Sequence, residues 1–370
     1  MKPFSFYLGT RVFFGRNCLQ ENQEQLLKLG NKALIVTGRT SGKSSGALDD
    51  VIASLNNQQI NYIIYDAIEN NPTLENIKRA VGQAMPFQPQ FVIAIGGGSP
   101  LDAAKAIAVL LTNEIDPLEL FQNQFSNPPL PIAAIPTTAG TGSEVTHYSI
   151  LTRKDLQTKM SFGNDMTFPR IAFVDPAYTA SMPYEVAVDT ALDALSHAIE
   201  GYLSKRSTLV GDILALEAIK LFGECVSFLQ SRNLDYQTRE KLLYLSTLAG
   251  MVITQSGTTL VHGLGYSLTY FKDLPHGRAN GLLLHEYLKY NYSHSAEKIN
   301  NILKALLISD IDTFGQVIEV LLPNGLVLSD DEIEQFANLA ITQKNTQSNL
   351  KPVSIEDLKQ ILRDSQRPPK

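Results

Sequence analysis

The sequence has few cysteines, no long apolar run and no excess of positive charge. Two cysteines in 370 residues, Cys18 and Cys225, exclude a disulfide framework and a cysteine-based zinc cluster, and they suit a reducing compartment. The longest apolar runs, such as residues 91–95, fall far short of the roughly 20 residues that a membrane-spanning helix needs. Residues 1–15 alternate polar and aromatic side chains, whereas a secretory signal is continuously apolar. We therefore expect a cytoplasmic protein without a membrane segment.

The charge balance is mildly acidic, with 31 Lys and Arg against 37 Asp and Glu and a formal net charge of -6. Such a chain has no overall attraction to nucleic acid or to anionic lipid, so we expect neither as a partner. A hydrophobic content of 44% is typical of a folded globular chain. The length predicts two domains.

The first half of the chain alternates strands and helices. Residues 4–8 and 11–15 are predicted as two short strands around Gly9 and Thr10. Compact apolar strands that alternate with helical segments favour a parallel sheet with both faces covered. The strands predicted after the first two lie at residues 33–37, 62–65, 91–95, 132–135, 159–162 and 171–174.

The second half is predicted to be all helical. Patterns with a 3.6-residue period cover residues 186–203, 209–229 and 238–255, and two capping boxes begin at Ser329 and Ser354. We therefore predict an α/β domain over residues 1–180 and a helical domain over residues 181–370. The cleft between two such domains is where we expect a site.

Two polar turns follow predicted strands of the α/β domain. One strand leads directly into residues 96–100 (GGGSP), where three glycines would let backbone amides approach an anion at a helix N-terminus. The next leads into residues 136–144 (PTTAGTGSE), which carry four hydroxyls and two glycines. Because ligands of doubly wound sheets bind at the carboxyl ends of the strands, these turns favour a nucleotide site. The alternative is a pair of ordinary solvated turns, and residues 96–100 are not the GxGxxG fingerprint.

Candidate metal ligands lie in two windows of the helical domain. Asp193 and His197 are four residues apart and would share one helix face. His262 and His276 follow in residues 261–281, on either side of a helix break at Pro275. Imidazole and carboxylate suit Fe²⁺ or Zn²⁺, although each of these residues alone could equally be structural.

Together these segments resemble the iron-containing (group III) alcohol dehydrogenase family. The resemblance rests on residues 96–106, 135–144, 189–203 and 261–281, with Lys159 and residues 174–176 at matching spacing. It implies a Rossmann-like dinucleotide-binding α/β domain and an all-helical metal-binding domain, the dehydroquinate synthase-like fold. It also implies one divalent metal on Asp193, His197, His262 and His276. The implied nucleotide site contains Asn71, Gly97, Gly98, Ser99, Asp102, Thr137, Thr138, Thr141 and Lys159.

The activity implied by the resemblance is hydride transfer between a nicotinamide cofactor and a primary alcohol or its aldehyde. The metal would stabilise negative charge on the alcohol oxygen. Family members often form dimers or larger assemblies, so a homo-oligomer is expected. Many members carry a further histidine four residues after the third metal ligand, where this chain has Tyr266. We expect Tyr266 either to relay a proton or to shape the pocket, with water as the alternative relay.

The stretch after the first buried strand bears on the choice of nicotinamide cofactor. Members that use NAD have an acid here, which binds the ribose 2′-hydroxyl, but this chain has Gly38 followed by Arg39, Ser41 and Lys43, with no carboxylate before Asp49. Cations and hydroxyls suit a 2′-phosphate. The sequence therefore predicts NADP(H) in preference to NAD(H).

Three other functions stay open at this point. A glycerol-type polyol dehydrogenase would share the fold and the motifs. A dehydroquinate synthase-like enzyme needs several basic residues, whereas only Lys272 and Arg278 lie near the metal motifs. A non-catalytic nucleotide-binding regulator is the alternative from another class.

Overall fold

The computed structural model describes residues 3–367. The chain divides into two compact units, Leu8–Pro183 and Tyr184–Lys370, with Met1–Tyr7 joined to the second. We call them the α/β unit and the helical unit. Within the described residues, no helix has both the length and the apolar character needed to cross a membrane.

The α/β unit contains eight strands and several helices. The strands are β1 (Arg11–Phe14), β2 (Lys32–Gly38), β3 (Asn61–Ile68), β4 (Phe91–Gly96), β5 (Ile132–Pro136), β6 (Ser149–Arg153), β7 (Thr158–Phe162) and β8 (Ile171–Val174). The helices are α1 (Cys18–Glu21), α2 (Glu24–Leu27), α3 (Ser41–Ser44), α4 (Ala47–Asn57), α5 (Leu74–Ala84) and α6 (Gly98–Leu110).

Six of these strands form one parallel sheet in the order β1-β8-β5-β4-β2-β3. Every residue of β4 and β5 is buried, as continuous apolar strands covered on both faces require. Thr73 caps α5 by accepting a hydrogen bond from the Asn76 amide. The predicted parallel sheet and the strands over residues 33–37, 62–65, 91–95, 132–135 and 171–174 are confirmed.

The strand order reverses between β2 and β4. From β2 the chain continues to β3 on one side, whereas β4, β5 and β8 extend the sheet on the other. Such a switch point opens a crevice at the carboxyl ends of the two strands, where doubly wound folds bind ligands. Gly38 ends β2 and Gly96 ends β4.

The predicted strand over residues 159–162 is present as β7, but it lies outside the main sheet. It pairs antiparallel with β6 in a separate two-stranded hairpin, in which Lys159 faces Thr152. No strand was predicted over β6.

The strand predicted over residues 4–8 is wrong. These residues form no strand, and Tyr7 instead exchanges two hydrogen bonds with the side chain of Gln255. β1 pairs with β8, not with residues 4–8. An alternating pattern forms a strand only where a neighbouring strand supplies the ladder, and here a helix side chain takes that place.

The described part of the helical unit consists of long helices. They are α7 (Tyr184–Tyr202), α8 (Leu209–Gln230), α9 (Tyr236–Ser256), α10 (Leu260–Lys272), α11 (His276–Ala305), α12 (Ile311–Leu321), α13 (Asp330–Ile341) and α14 (Ile355–Asp364). Both predicted capping boxes are present, at Ser329 and Ser354. α7 packs against α8, α9 and α11 and is buried along most of its length, so Asp193, His197 and Glu200 on α7 lie deep inside the unit.

Candidate metal and nucleotide sites

The candidate metal ligands come from three helices of the helical unit. Asp193 and His197 lie one turn apart on α7, and both are buried. His262 lies in the first turn of α10, and His276 is the first residue of α11. The predicted helix break is present, because α10 ends at Lys272, the next residue Asp273 has a left-handed φ of 53°, and Pro275 precedes α11.

Three of the four candidates converge on one point. Asp193, His262 and His276 each offer one ligand atom, and these atoms lie within 4.8 Å of one another. The Nε2 atoms of His262 and His276 are 3.8 and 3.9 Å from Asp193 Oδ1. A carboxylate oxygen with imidazole nitrogens is a donor set that suits Zn²⁺ or Fe²⁺, so these residues fit a divalent metal.

His197 lies beside this cluster. Its ring stacks on that of His262 with centroids 4.7 Å apart and planes inclined by 22°. Among the described residues, the group within 4.8 Å does not include it. His197 therefore lies next to the candidate site, but its ring nitrogens do not come within 4.8 Å of all three of the other ligand atoms.

The electrostatics of Asp193 favour a cation. Burial alone would raise the pKa of this carboxyl, but nearby His197, His276 and His262 outweigh that effect, so the net pKa is lowered. The carboxylate is therefore ionised at neutral pH. Here α7 and the start of α11 approach closely, because a Cβ atom at Gly277 would lie 1.8 Å from the carbonyl oxygen of Asp189 and 2.9 Å from Asp193 Cβ.

Two side chains beside the ligands had not been predicted from the sequence. The side-chain nitrogen of Asn280, Nδ2, lies 2.9 Å from Asp193 Oδ1, 3.2 Å from His262 Nε2 and 3.4 Å from His276 Nε2. Glu200 is fully buried and contacts His262 Nδ1. The spacing carried a signal for both, since Asn280 follows His276 by four residues and Glu200 follows Asp193 by seven, which is one helix face.

Tyr266 lies next to the candidate ligands. Its ring is nearly parallel to that of His276, with centroids 5.6 Å apart, and it meets His262 edge-on at 6.3 Å. The two basic residues of this region are engaged in ion pairs, Arg278 with Asp189 and Lys272 with Glu332. Each of these positive charges is already partly offset by a carboxylate, which does not favour a dehydroquinate synthase-like site that binds a phosphorylated acid.

The glycine-rich turn of the α/β unit joins β4 to α6. Gly96 has a φ of +143°, a conformation that L side chains rarely adopt. A Cβ atom at Gly98 would lie 2.7 Å from Thr141, and one at Gly97 would lie 3.0 Å from the hydroxyl of Thr138. The two predicted loops thus pack directly against each other, and only glycine allows this approach.

The threonine-rich loop lies at the carboxyl end of β5. The Thr137 amide donates to the Gly96 carbonyl at 2.9 Å, which ties the loop to the end of β4. The Thr137 hydroxyl is buried and has no hydrogen-bond partner within residues 3–367. A buried hydroxyl normally has a partner, so this one is a candidate contact for a bound nucleotide.

Asn71 and Lys159 occupy other elements of the α/β unit. Asn71 has a left-handed φ of 54°, and its amide donates to the Ser99 hydroxyl at 3.1 Å. Its carbonyl accepts from Thr152, in the β6–β7 hairpin that also carries Lys159. Asn71 thereby links the glycine-rich turn to the hairpin, and Lys159 is buried.

Asp102 makes its contacts inside the protein. Its carboxylate accepts from the Ser143 hydroxyl at 2.5 Å and from the Ile150 amide at 3.0 Å, and it lies 3.5 Å from Lys105 Nζ. Lys105 is fully buried and also bonds Ser143 and the Tyr148 carbonyl. This pair fastens α6 to the threonine-rich loop, a role that the sequence had not indicated for either residue.

A carboxylate from another strand, which the sequence did not predict, contacts the cationic stretch after β2. Lys43 Nζ forms an ion pair with Asp66 Oδ2 at 2.8 Å. This hydrogen bond and the charges of Lys43 and Arg39 lower the pKa of Asp66, despite partial burial. Asp66 comes from the neighbouring strand β3, so no pattern along residues 38–49 could reveal it. Ser41 begins the short helix α3 beside Gly38.

Two family models match the chain. "Iron-containing alcohol dehydrogenase" matches residues 9–176, and "Fe-containing alcohol dehydrogenase family, C-terminal" matches residues 187–366. Together they cover almost the whole chain, and their boundary falls near the boundary between the two units.

Individual proteins agree with the models. The chain is 32% identical to 1,3-propanediol dehydrogenase of Klebsiella pneumoniae, over 82% of this chain and 80% of that protein. It is 31% identical to the NADPH-dependent butanol dehydrogenase of Clostridium saccharobutylicum, over 81% and 77%. A solved iron-containing alcohol dehydrogenase from Thermotoga maritima superposes with a TM-score of 0.91 at 38% identity, over 98% of this chain and 99% of that one. The chain therefore belongs to the iron-containing alcohol dehydrogenase family.

Proposed function

We propose that this member of the family transfers a hydride between NADP(H) and a primary alcohol or its aldehyde, with one divalent metal, Fe²⁺ or Zn²⁺. The observation that carries the proposal is the convergence of Asp193, His262 and His276 within 4.8 Å. His197, stacked on His262, is proposed as the fourth ligand. Two buried free cysteines fit a reducing compartment, so the proposal includes a cytoplasmic location, and it also includes a homo-oligomer.

When bound, the metal supplies Lewis acidity that favours negative charge on an alcohol oxygen or polarises a carbonyl, and the nicotinamide accepts or donates the hydride. The buried carboxylate of Asp193 would offset the positive charge of a bound metal ion. Asn280 holds the Asp193 oxygen by a 2.9 Å hydrogen bond. Tyr266, stacked on His276, has a phenol that can take up or release a proton. Tyr266→Phe, which removes the phenol hydroxyl, tests whether Tyr266 transfers a proton.

The nucleotide is proposed to lie at the switch point between β2 and β4. The first-turn amides of α6 and the residues Gly97, Gly98 and Ser99 would bind the pyrophosphate. The proposed surrounding contacts are Asn71, Thr137, Thr138, Thr141 and Lys159, whereas Asp102 is proposed to hold the threonine-rich loop in place.

The preference for NADP(H) rests on Gly38, Arg39, Ser41 and Lys43. Relatives are named with both cofactors: the Clostridium saccharobutylicum butanol dehydrogenase is named NADPH-dependent, whereas a butanol dehydrogenase from Thermotoga maritima is named NADH-dependent and a sulfoacetaldehyde reductase was solved with NAD+. The proposed preference therefore depends on this chain's own residues. A Cβ atom at Gly38 would meet nothing closer than 3.6 Å, so the first side-chain atom of an aspartate fits there without rearrangement. Gly38→Asp would add a carboxylate that accepts from a ribose hydroxyl and repels a 2′-phosphate.

The test is reduction of an aldehyde panel, followed at 340 nm with NADPH and with NADH. The panel includes 3-hydroxypropanal, because one relative is named 1,3-propanediol dehydrogenase. We expect turnover that is lost with a chelator and restored by Fe²⁺ or Zn²⁺, a higher kcat/KM with NADPH, and a shift toward NADH in Gly38→Asp. Nucleotide binding without turnover would instead favour a regulatory protein, and a wild-type ratio that favours NADH would refute the cofactor assignment.

A further inference from the structure

Glu200 is a buried carboxylate next to the candidate metal site, and it is not itself one of the converging ligands. It lies on α7, two turns after Asp193, and its side chain has no exposure to solvent. An ionised carboxylate is costly to bury unless hydrogen-bond donors surround it. The identity of those donors therefore indicates what this residue is for.

The donors of Glu200 all come from the start of α10. Its Oε1 atom accepts from the amide and the hydroxyl of Thr259, at 2.8 and 2.9 Å, and from the amides of Val261 and His262, at 3.0 and 3.2 Å. The Thr259 side chain does not cap the helix itself. Glu200 therefore caps α10 from a neighbouring helix. It also fixes the position of the His262 backbone, from which the imidazole extends.

The second oxygen of Glu200 contacts the ring of His262 at Nδ1. The contacts of the other ring nitrogen, Nε2, indicate which nitrogen of His262 carries the proton. Asn280 must present its amide nitrogen to the Asp193 carboxylate, and that same nitrogen lies 3.2 Å from His262 Nε2. A donor facing Nε2 requires a lone pair there, so the ring proton belongs on Nδ1, where Glu200 accepts it.

We propose that Glu200 is a positioning residue for the metal site: it holds the proton of His262 on Nδ1, and thereby keeps Nε2 unprotonated and directed at Asp193 and His276. This inference rests on the proposed function, in which those atoms bind the metal. Histidine ligands commonly donate their second N–H to a carboxylate, which fixes the tautomer and the ring orientation. Here one helix, α7, both provides the ligand Asp193 and orients the ligand His262.

Glu200→Gln tests the proposal because it preserves shape while it reverses one hydrogen bond. Four donors converge on Oε1, so the glutamine carbonyl oxygen must take that position. The NH₂ group then faces His262 Nδ1 and donates to it. The ring must move its proton to Nε2, where it blocks the lone pair needed for metal.

The first measurement is imidazole nitrogen NMR on the metal-free full-length chain with ¹⁵N-labelled histidine, with His262 assigned through His262→Gln. We expect the Nδ1–H tautomer in the wild-type protein and the Nε2–H tautomer in Glu200→Gln. A wild-type Nε2–H tautomer would overturn the inference even if the variant failed to fold. This spectrum needs no bound metal, so it judges Glu200 separately from the proposed function.

The second measurement is the affinity for Zn²⁺, by competition with a chromogenic chelator. We expect Glu200→Gln to bind roughly 10 to 100 times more weakly than wild type, the usual effect of losing such a partner. Asp212→Asn, which removes a partly buried carboxylate from an ion pair with Lys298 elsewhere in the helical unit, serves as the control and should bind like wild type. Equal Zn²⁺ affinity in wild type and Glu200→Gln would refute the role of Glu200, whereas a wild type that binds no Zn²⁺ would refute the metal site itself.

Discussion

Asp66→Asn should raise the preference for NADPH. Lys43 is one of the two cations proposed to meet the 2′-phosphate, but in this structure its ammonium is paired with Asp66 at 2.8 Å. A phosphate that binds Lys43 must share or displace that carboxylate. Because Lys43 lowers the pKa of Asp66, the carboxylate is ionised throughout neutral pH, and the competition is present in any ordinary assay.

The magnitude follows from the exposure of the pair. Both side chains are about half exposed, at 57% and 48%, and exposed ion pairs contribute about 0–1 kcal/mol. The direct repulsion between carboxylate and phosphate adds about 1 kcal/mol per charge pair at 4 Å in water. A total of about 1–2 kcal/mol corresponds to a roughly 5- to 30-fold change, because 1.4 kcal/mol is about tenfold.

The assay is kcat/KM for NADPH and for NADH with one aldehyde, at low salt and at 0.5 M salt. We expect the NADPH value to rise, the NADH value to stay the same, and the difference to shrink as salt screens the charges. Glu224→Gln is the matched control, since it removes one carboxylate from a surface ion pair at 2.7 Å in the helical unit. If the NADH value falls while the NADPH value is unchanged, Asp66 is a ribose-binding acid and the reasoning is wrong.

Three further predictions concern single side chains. His197→Ala should lose bound metal and activity together, and full occupancy by elemental analysis would show that His197 is no ligand. Tyr266→Phe should lower turnover by about 10²-fold and alter the pH profile if the phenol relays a proton, whereas a loss below tenfold with an unshifted profile would leave it a pocket residue. Lys105→Met should lower the free energy of unfolding, measured in urea, by about 3–5 kcal/mol, because it leaves Asp102 as a buried unpaired charge. Lys78→Met, which breaks an exposed ion pair with Asp116, is the control and should lower that free energy by less than about 1 kcal/mol.

The sequence predicted those features that depend on neighbours along the chain. The i, i+4 spacing placed Asp193 and His197 on one face of α7, and Pro275 marked the break before His276. Buried strands were recognised because β4 and β5 are continuously apolar. The strand predicted over residues 4–8 was wrong, because an alternating pattern does not show whether a neighbouring strand is present to pair with it.

The sequence could not show contacts between elements that are distant along the chain. Asp66 reaches Lys43 from the adjacent strand β3, 23 residues away. Lys105 reaches the Tyr148 carbonyl across 43 residues. In each case the pairing depends on strand order and on which helix covers which loop, and the residues between carry no periodic signal for either.

Asp102 and Glu200 show how a buried carboxylate inside a motif can hold a neighbouring segment in place. Both lie in segments that carry the family resemblance, and an acid in such a place is readily interpreted as a ligand. Both are buried, however, and a buried carboxylate is tolerated only where donors satisfy its oxygens. Asp102 receives Ser143 and the Ile150 amide, whereas Glu200 receives the start of α10. Each carboxylate therefore holds a neighbouring segment in place: Asp102 holds the threonine-rich loop proposed to bind the nucleotide, and Glu200 holds the start of α10, which carries the proposed metal ligand His262.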